Sequence, residues 1–345
     1  MILSYRTRKF FRGLATFLLL AALAAAVVWM VWIVWLDRFV VYTRDGAQFR
    51  FDSSAEDLRG EVAVPPEALP GVSIVYDDSD PEQSISTELT QLKGYYADVE
   101  ALTGDLAAVR EQIEKLPTGT PVMVDVKTIY GYFLYNTDLG PTDSGMDTGG
   151  MDDLIAEMND RGLYMIARVP ALRDYYFGLN YTSNGLFRAD GYALWNDFSS
   201  GRLTYWLDPT RDGTVTYMTQ IANELKRMGF DEVVFSEFRF PDTTDMEFDG
   251  DKQEALRETA DTVAAICATE TFCVSFVSTD PSFVLPAGER CRLYLDGISA
   301  AQAQTAALST GLEDPAIRVV FVTELGDTRY DEFSVLRPLS SAQSG

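Results

Sequence analysis

GFDEVVFSEFRFP, residues 229–241, decides the fold. Ahead of it, residues 218–228 place Ile221, Leu225 and Met228 on one helical face, and Gly229 stands where a helix takes its C-terminal stop. Residues 233–238 are a short run of β-branched and aromatic side chains, the look of a strand buried on both faces of a parallel sheet. Helix, glycine and strand make half a βαβ unit. Where the strand should leave its core the run is broken by Ser236, Glu237 and Arg239. In parallel α/β folds, chemistry gathers at that edge.

Outward from this unit the same alternation repeats. Strands are expected at 72–76, 121–127, 163–169, 232–238, 272–277, 292–295 and 317–323, with helices near 86–116, 151–161, 213–228, 252–269 and 300–310. Alternating strands and helices predict an α/β protein with a parallel sheet, and residues 71–338 suit one TIM-like (β/α)8 barrel of about 250 residues. Residues 333–336 are the candidate eighth strand. No helical pattern precedes them, so the barrel is expected to be irregular or incomplete there. Residues 37–70 read as a hairpin and a linker: 39–51 holds two β-type runs around Asp45-Gly46, and 52–70 is polar with three prolines. Residues 339–345 read as a disordered tail.

Residues 1–13 carry Arg6, Arg8, Lys9 and Arg12 without an acid, and residues 14–36 follow with no charge for 23 positions. At 1.5 Å per residue that run can span a bilayer, and it is too long for the core of a cleaved signal peptide. A transmembrane signal anchor is expected at 14–36. The basic flank puts the N-terminus in the cytoplasm, and Trp29, Trp32 and Trp35 mark the outer interface. The barrel is then extracellular, on a cell membrane protein that crosses once.

The formal net charge of −24 argues against nucleic acid, which needs clustered Lys and Arg. There is no histidine, which removes Ser-His-Asp and Cys-His catalysis and imidazole metal sites. An enzyme with this composition works with carboxylates. No cofactor or metal is expected: Asp245, Glu247, Asp249, Gly250 and Asp251 imitate the start of a calcium loop, but its twelfth position is Leu256 where a Glu is needed. Cys267, Cys273 and Cys291 allow one disulfide plus a free thiol, or three small buried hydrophobes.

The opening stretch resembles the signature of the putative glycosyl hydrolase domain family of bacterial barrel proteins. VMVDVK (122–127), RGLYMIARVPALRD (161–174) and WLDP (206–209) fall in the family's order, so the resemblance covers residues 121–241. It implies a TIM barrel and a carbohydrate partner, a polysaccharide or cell-wall glycan. Where family members carry Asp in the strand, this chain has Ser236.

Polar residues at the expected strand ends are Asp125 and Lys127, Arg168, Ser236 with Glu237 and Arg239, Asp296, and Glu324; Asp208 of the WLDP stretch joins them. Asp125, Lys127, Arg168, Asp208, Ser236, Arg239 and Asp296 are candidate substrate contacts. Glu237 after the fourth strand and Glu324 after the seventh resemble the layout of a large clan of retaining glycosidases. That resemblance implies Glu237 as acid/base and Glu324 as nucleophile, with carboxylates about 5–5.5 Å apart. The clan has Asn before its acid/base where this chain has Ser236. Tyr130, Tyr132, Tyr135, Tyr175, Tyr176, Phe177, Tyr181, Trp195, Tyr205 and Trp206 would roof the site or form a small core under long loops. Three functions stay open: a glycoside hydrolase, a catalytically inactive barrel that binds glycan or wall polymer, and an envelope scaffold.

Overall fold

The computed structural model describes residues 40–43, 46–49, 89–199, 201–278, 283, 285–286, 290–324 and 326–343. The chain divides into two units, Met1–Pro81 and Glu82–Gly345. In the first, Val40–Thr43 and Gly46–Phe49 pair antiparallel with Thr43 opposite Gly46, the hairpin that Asp45-Gly46 signals. Among the described residues no helix is long and apolar enough to cross a membrane. The expected anchor at 14–36 and the expected strand at 72–76 lie outside the described residues.

In the second unit, the apolar runs become eight strands: β1 Lys93–Ala97, β2 Pro121–Asp125, β3 Tyr164–Pro170, β4 Glu232–Ser236, β5 Cys273–Ser278, β6 Leu293–Asp296, β7 Val319–Val322 and β8 Ser334–Pro338. Every neighbouring pair is parallel and the sheet closes into a barrel. Helices α1 Val99–Gly104, α2 Leu106–Ile113, α3 Thr148–Asp160, α4 Tyr175–Asn180, α5 Asp212–Arg227, α6 Lys252–Cys267, α7 Ala303–Ser309 and α8 Pro315–Arg318 connect them.

Three expectations are corrected here. The first barrel strand is β1, inside the segment expected to be one helix over 86–116. Gly94-Tyr95-Tyr96 suits a strand better than a helix, and Asp98 and Asp105 cap two short helices in place of one long one. Gly94 is required by close approach, since a Cβ there would lie 2.1 Å from the Pro121 carbonyl oxygen on β2. The barrel is also complete. β8 joins β7 to β1 in register Val335↔Lys93, entered from a 3₁₀ turn at Thr328–Glu332, a connection with no amphipathic helical signature. The Lys93 ammonium fastens this seam by donating to the carbonyls of Asp331 and, at 2.8 Å, Phe333. Leu339–Gln343, read as part of a disordered tail, is a 3₁₀ turn with Leu339 buried.

Strand alternation sorts side chains into two cores. Met123, Ile166, Val234, Tyr294, Val320 and Leu336 fill the barrel interior, while Val122, Val124, Val233 and Phe235 belong to the larger core that includes the helices. Toward the N-terminal ends of the strands the interior turns polar. Glu232 is fully buried and accepts from Ser275 Oγ at 2.5 Å, Arg292 Nη1 at 2.5 Å, Tyr164 Oη at 2.9 Å and Tyr294 Oη at 3.0 Å. Burial, then the Glu232 charge, pushes both phenols well above their usual range. Both acceptor oxygens are used, as a buried carboxylate requires. Cys267, Cys273 and Cys291 are free, buried thiols, so the second reading of the cysteines is the one realised.

Candidate active site

The C-terminal ends of the strands carry a polar layer that period two predicts. Asp125, Arg168, Ser236 and Asp296 each stand two residues beyond an interior side chain, Met123, Ile166, Val234 and Tyr294 in turn. Asp125 and Arg168 face each other in the β2–β3 register and form a bidentate pair, Nε to Oδ1 at 2.5 Å and Nη2 to Oδ2 at 2.9 Å. The Val99 amide also donates to Asp125 Oδ2. With both oxygens taken and 7% of its surface exposed, Asp125 holds Arg168 in place. Burial disfavours the Arg168 charge, but Asp125 outweighs it and the guanidinium's pKa is raised; Asp296 and Asp98 add to that pull. Tyr96, on β1 beside this layer, has its phenol raised by burial, then by Glu324 and Asp98. The side chains of Asp296 and Glu324 are exposed and make no hydrogen bond or ion pair among the described residues. One half of the rim is therefore a single guanidinium among carboxylates.

The other half is built on Glu237. Directly after β4, its backbone takes φ +50°, a left-handed conformation that costs an L-residue about 1–3 kcal/mol. Alternation ends with that residue. Its carboxylate is a quarter exposed and lies between two arginines, Oε1 at 3.7 Å from Arg173 Nη1 and Oε2 at 3.3 Å from Arg239 Nη2. Both guanidiniums also sit over the Trp206 indole, at 5.5 Å and 4.8 Å from its centroid. Arg173 is anchored further by Thr204 Oγ1 at 3.1 Å and Asp197 at 3.0 Å. It was absent from the residues expected at the site, although it lies inside the quoted stretch 161–174.

Two expected contacts are corrected. Lys127 is fully buried against Asp174, 2.7 Å away, and donates to the Pro170 carbonyl. Asp174 in turn accepts from the Phe177 amide and Tyr217 Oη, so the pair fixes the start of α4 and leaves no face to a ligand. Asp208 spends its carboxylate within its own turn, accepting from the Thr210 amide and hydroxyl and from Arg211 Nε. Among the aromatics the small-core reading holds for Phe177, stacked on Tyr217 at 4.1 Å, for Tyr135, whose hydroxyl donates to Glu224, and for Trp206. The acidic loop at 245–251 is occupied otherwise: Asp245 pairs with Arg188 and Asp251 caps α6. Among the described residues no group of carboxylates and thiols could hold a metal ion.

A family model described as "Putative glycosyl hydrolase domain" matches residues 105–274, from the start of α2 into β5. That segment is similar to the family, and the match covers just under half of the chain. It spans Asp125, Arg168, Arg173, Ser236, Glu237 and Arg239, while Asp296 and Glu324 lie beyond it. No curated protein matches the sequence. A hypothetical protein from Ruminiclostridium thermocellum is similar at 21% identity and a TM-score of 0.44, over 53% of this chain and 96% of its own. A sulfoquinovosidase of family GH31 from E. rectale is similar at 14% identity and a TM-score of 0.45, over 70% of this chain. An α-galactosidase from Thermus thermophilus is similar at 12% identity and 0.48, over 74%. This chain spans 40% and 60% of those two glycosidases' own lengths, and at such scores the likenesses bear no weight for its chemistry.

Proposed function

We propose that the barrel mouth acts on a glycan by hydrolysing a glycosidic bond, with Glu237 and Glu324 as the reacting carboxylates. The observation that carries this reading is Glu237 itself. A strained backbone at the C-terminal end of a barrel strand, holding an acid between two arginines, is strain kept where it serves a site. The match of residues 105–274 to the glycosyl hydrolase domain model supports the carbohydrate class. Hydrolysis of this kind needs one carboxylate that gives a proton and one that stays charged. The ion pairs of Glu237 favour the charged role, which would exchange the parts that the clan resemblance implies. Ser236 favours a second reading: the layer position where the family carries Asp holds a hydroxyl that moves no proton at neutral pH, so the mouth would bind glycan without cleaving it.

The test is release of new reducing ends from a panel of polysaccharides and cell-wall glycans by the full-length chain, against the Glu237→Gln/Glu324→Gln double variant. Release by the parent alone supports hydrolysis. Equal release by both rejects it, and retention of the parent in glycan affinity gels without release selects the binding reading.

We also propose that residues 14–36 anchor the chain in a cell membrane uncleaved, with the barrel outside. The length of the uncharged run supports this. N-terminal sequencing of the membrane-bound protein should return the original start, and a mature start near Val27 would end the idea.

A further inference from the structure

We propose that Arg173 is the positioning residue for Glu237, and that the hairpin Asn196–Ser199/Arg202–Tyr205 is the part of the chain that sets Arg173. This rests on the reading of Glu237 as a reacting carboxylate. A left-handed backbone at an L-residue persists only where its surroundings over-determine it, so something must hold Glu237. Arg239 is a poor holder: its side chain is 46% exposed, and exposed ion pairs contribute little. Arg173 is the opposite case, with 10% of its side chain exposed and each end of its guanidinium assigned. Nε donates to Thr204, Nη2 donates to Asp197, and the flat face lies over Trp206. What remains for Glu237 is Nη1 at 3.7 Å, an ion pair longer than a hydrogen bond. The hairpin takes the directional bonds of Arg173 and shares its charge with Glu237.

The hairpin's own sides agree. Asp197 and Thr204 are a cross-strand pair on one face, and both grip Arg173. Phe198 and Leu203 are the next pair, on the other face, 68% and 40% exposed. A two-stranded ribbon is marginal alone, and this one is tied down by its grip on Arg173 and by Tyr205 stacked on Tyr175 at 5.5 Å. Asp197 and Glu237 thus share one cation, which couples an insertion after β3 to the end of β4.

The coupling is read without any substrate. Melting temperatures of the full-length chain are compared for Asp197→Asn, Glu237→Gln and the double variant, each with Arg173 and with Arg173→Met. With Arg173 present, either acid alone still pairs the buried guanidinium, whereas removing both strands it. The double variant is expected to lose roughly 2–4 °C beyond the sum of the singles, and the excess should vanish with Arg173→Met. If Arg173→Met does not fold, Arg173→Lys replaces it and should shrink the excess, because an ammonium does not match the planar fork. Additive singles overturn the proposal. A second arm uses a panel of 4-nitrophenyl glycosides. Arg173→Met should lower kcat about 10²-fold with KM within about threefold, and Arg173→Lys should recover part of it. An unchanged kcat also overturns the proposal. A parent that cleaves no glycoside counts against the hydrolase reading alone, and the melting arm then decides.

Discussion

Glu232→Ala is expected to destabilise the barrel by about 3–5 kcal/mol, enough to unfold a marginal domain. The variant strands the Arg292 guanidinium, 1% exposed, without its counter-charge and removes the acceptor of Ser275, Tyr164 and Tyr294 together. The loss is large because it is one-sided: a buried pair is worth little against a well-packed apolar replacement, but half of one is costly. Glu232→Met with Arg292→Leu should therefore recover most of what Glu232→Ala loses. Equilibrium unfolding in guanidinium chloride measures both. A loss under about 1 kcal/mol for Glu232→Ala would mean that the cluster is wetter than its burial indicates. Glu157→Ala, which breaks the half-exposed pair with Arg110, is the control and should stay near or below about 1 kcal/mol.

Glu237→Gln and Glu324→Gln are each expected to cost about 10²–10⁴-fold in turnover of a glycan that the parent cleaves. Glutamine keeps the shape and removes both the charge and the proton. The leaving group separates the roles. With 2,4-dinitrophenyl glycosides the departing phenolate needs little protonation, so a variant of the proton donor keeps most of its first-step rate. A variant of the charged carboxylate loses it whatever the leaving group. The ion pairs with Arg173 and Arg239 predict the second behaviour for Glu237. Turnover within about threefold of the parent in both variants would remove this pair from the chemistry.

The legible part of the molecule is the part governed by period. Asp125, Arg168, Ser236 and Asp296 stood out as a set because the alternation that buries Met123, Ile166, Val234 and Tyr294 carries two residues further to the rim. Lys127 obeys the same count, yet β2 ends at Asp125, and past a strand's end parity says nothing about direction. Asp208 had its own local signal: Asp-Pro-Thr-Arg is the sequence of a self-bonded turn, and the side chain is used there. Arg173 was hidden for a different reason. Its partners lie 24 and 31 residues away on a hairpin whose strands are four residues each, too short to assert a pattern. β1 was lost because Gly94-Tyr95-Tyr96 is followed directly by two helices, and their apolar spacing spreads backward over five strand residues. β8 falls on the candidate strand at 333–336, and it was the 3₁₀ turn ahead of it, without a helical pattern, that made the barrel read as incomplete.

Burial raises the thiol pKa of all three cysteines, Cys267 to about 11, and it is the thiolate that reacts with oxidants and disulfides. None of the three is paired, so no bond in the barrel depends on an oxidant to form or is lost to a reductant. The domain is redox-neutral. Such a barrel needs no disulfide-forming catalyst to mature, and it keeps the same covalent structure in a reducing compartment as in an oxidising one.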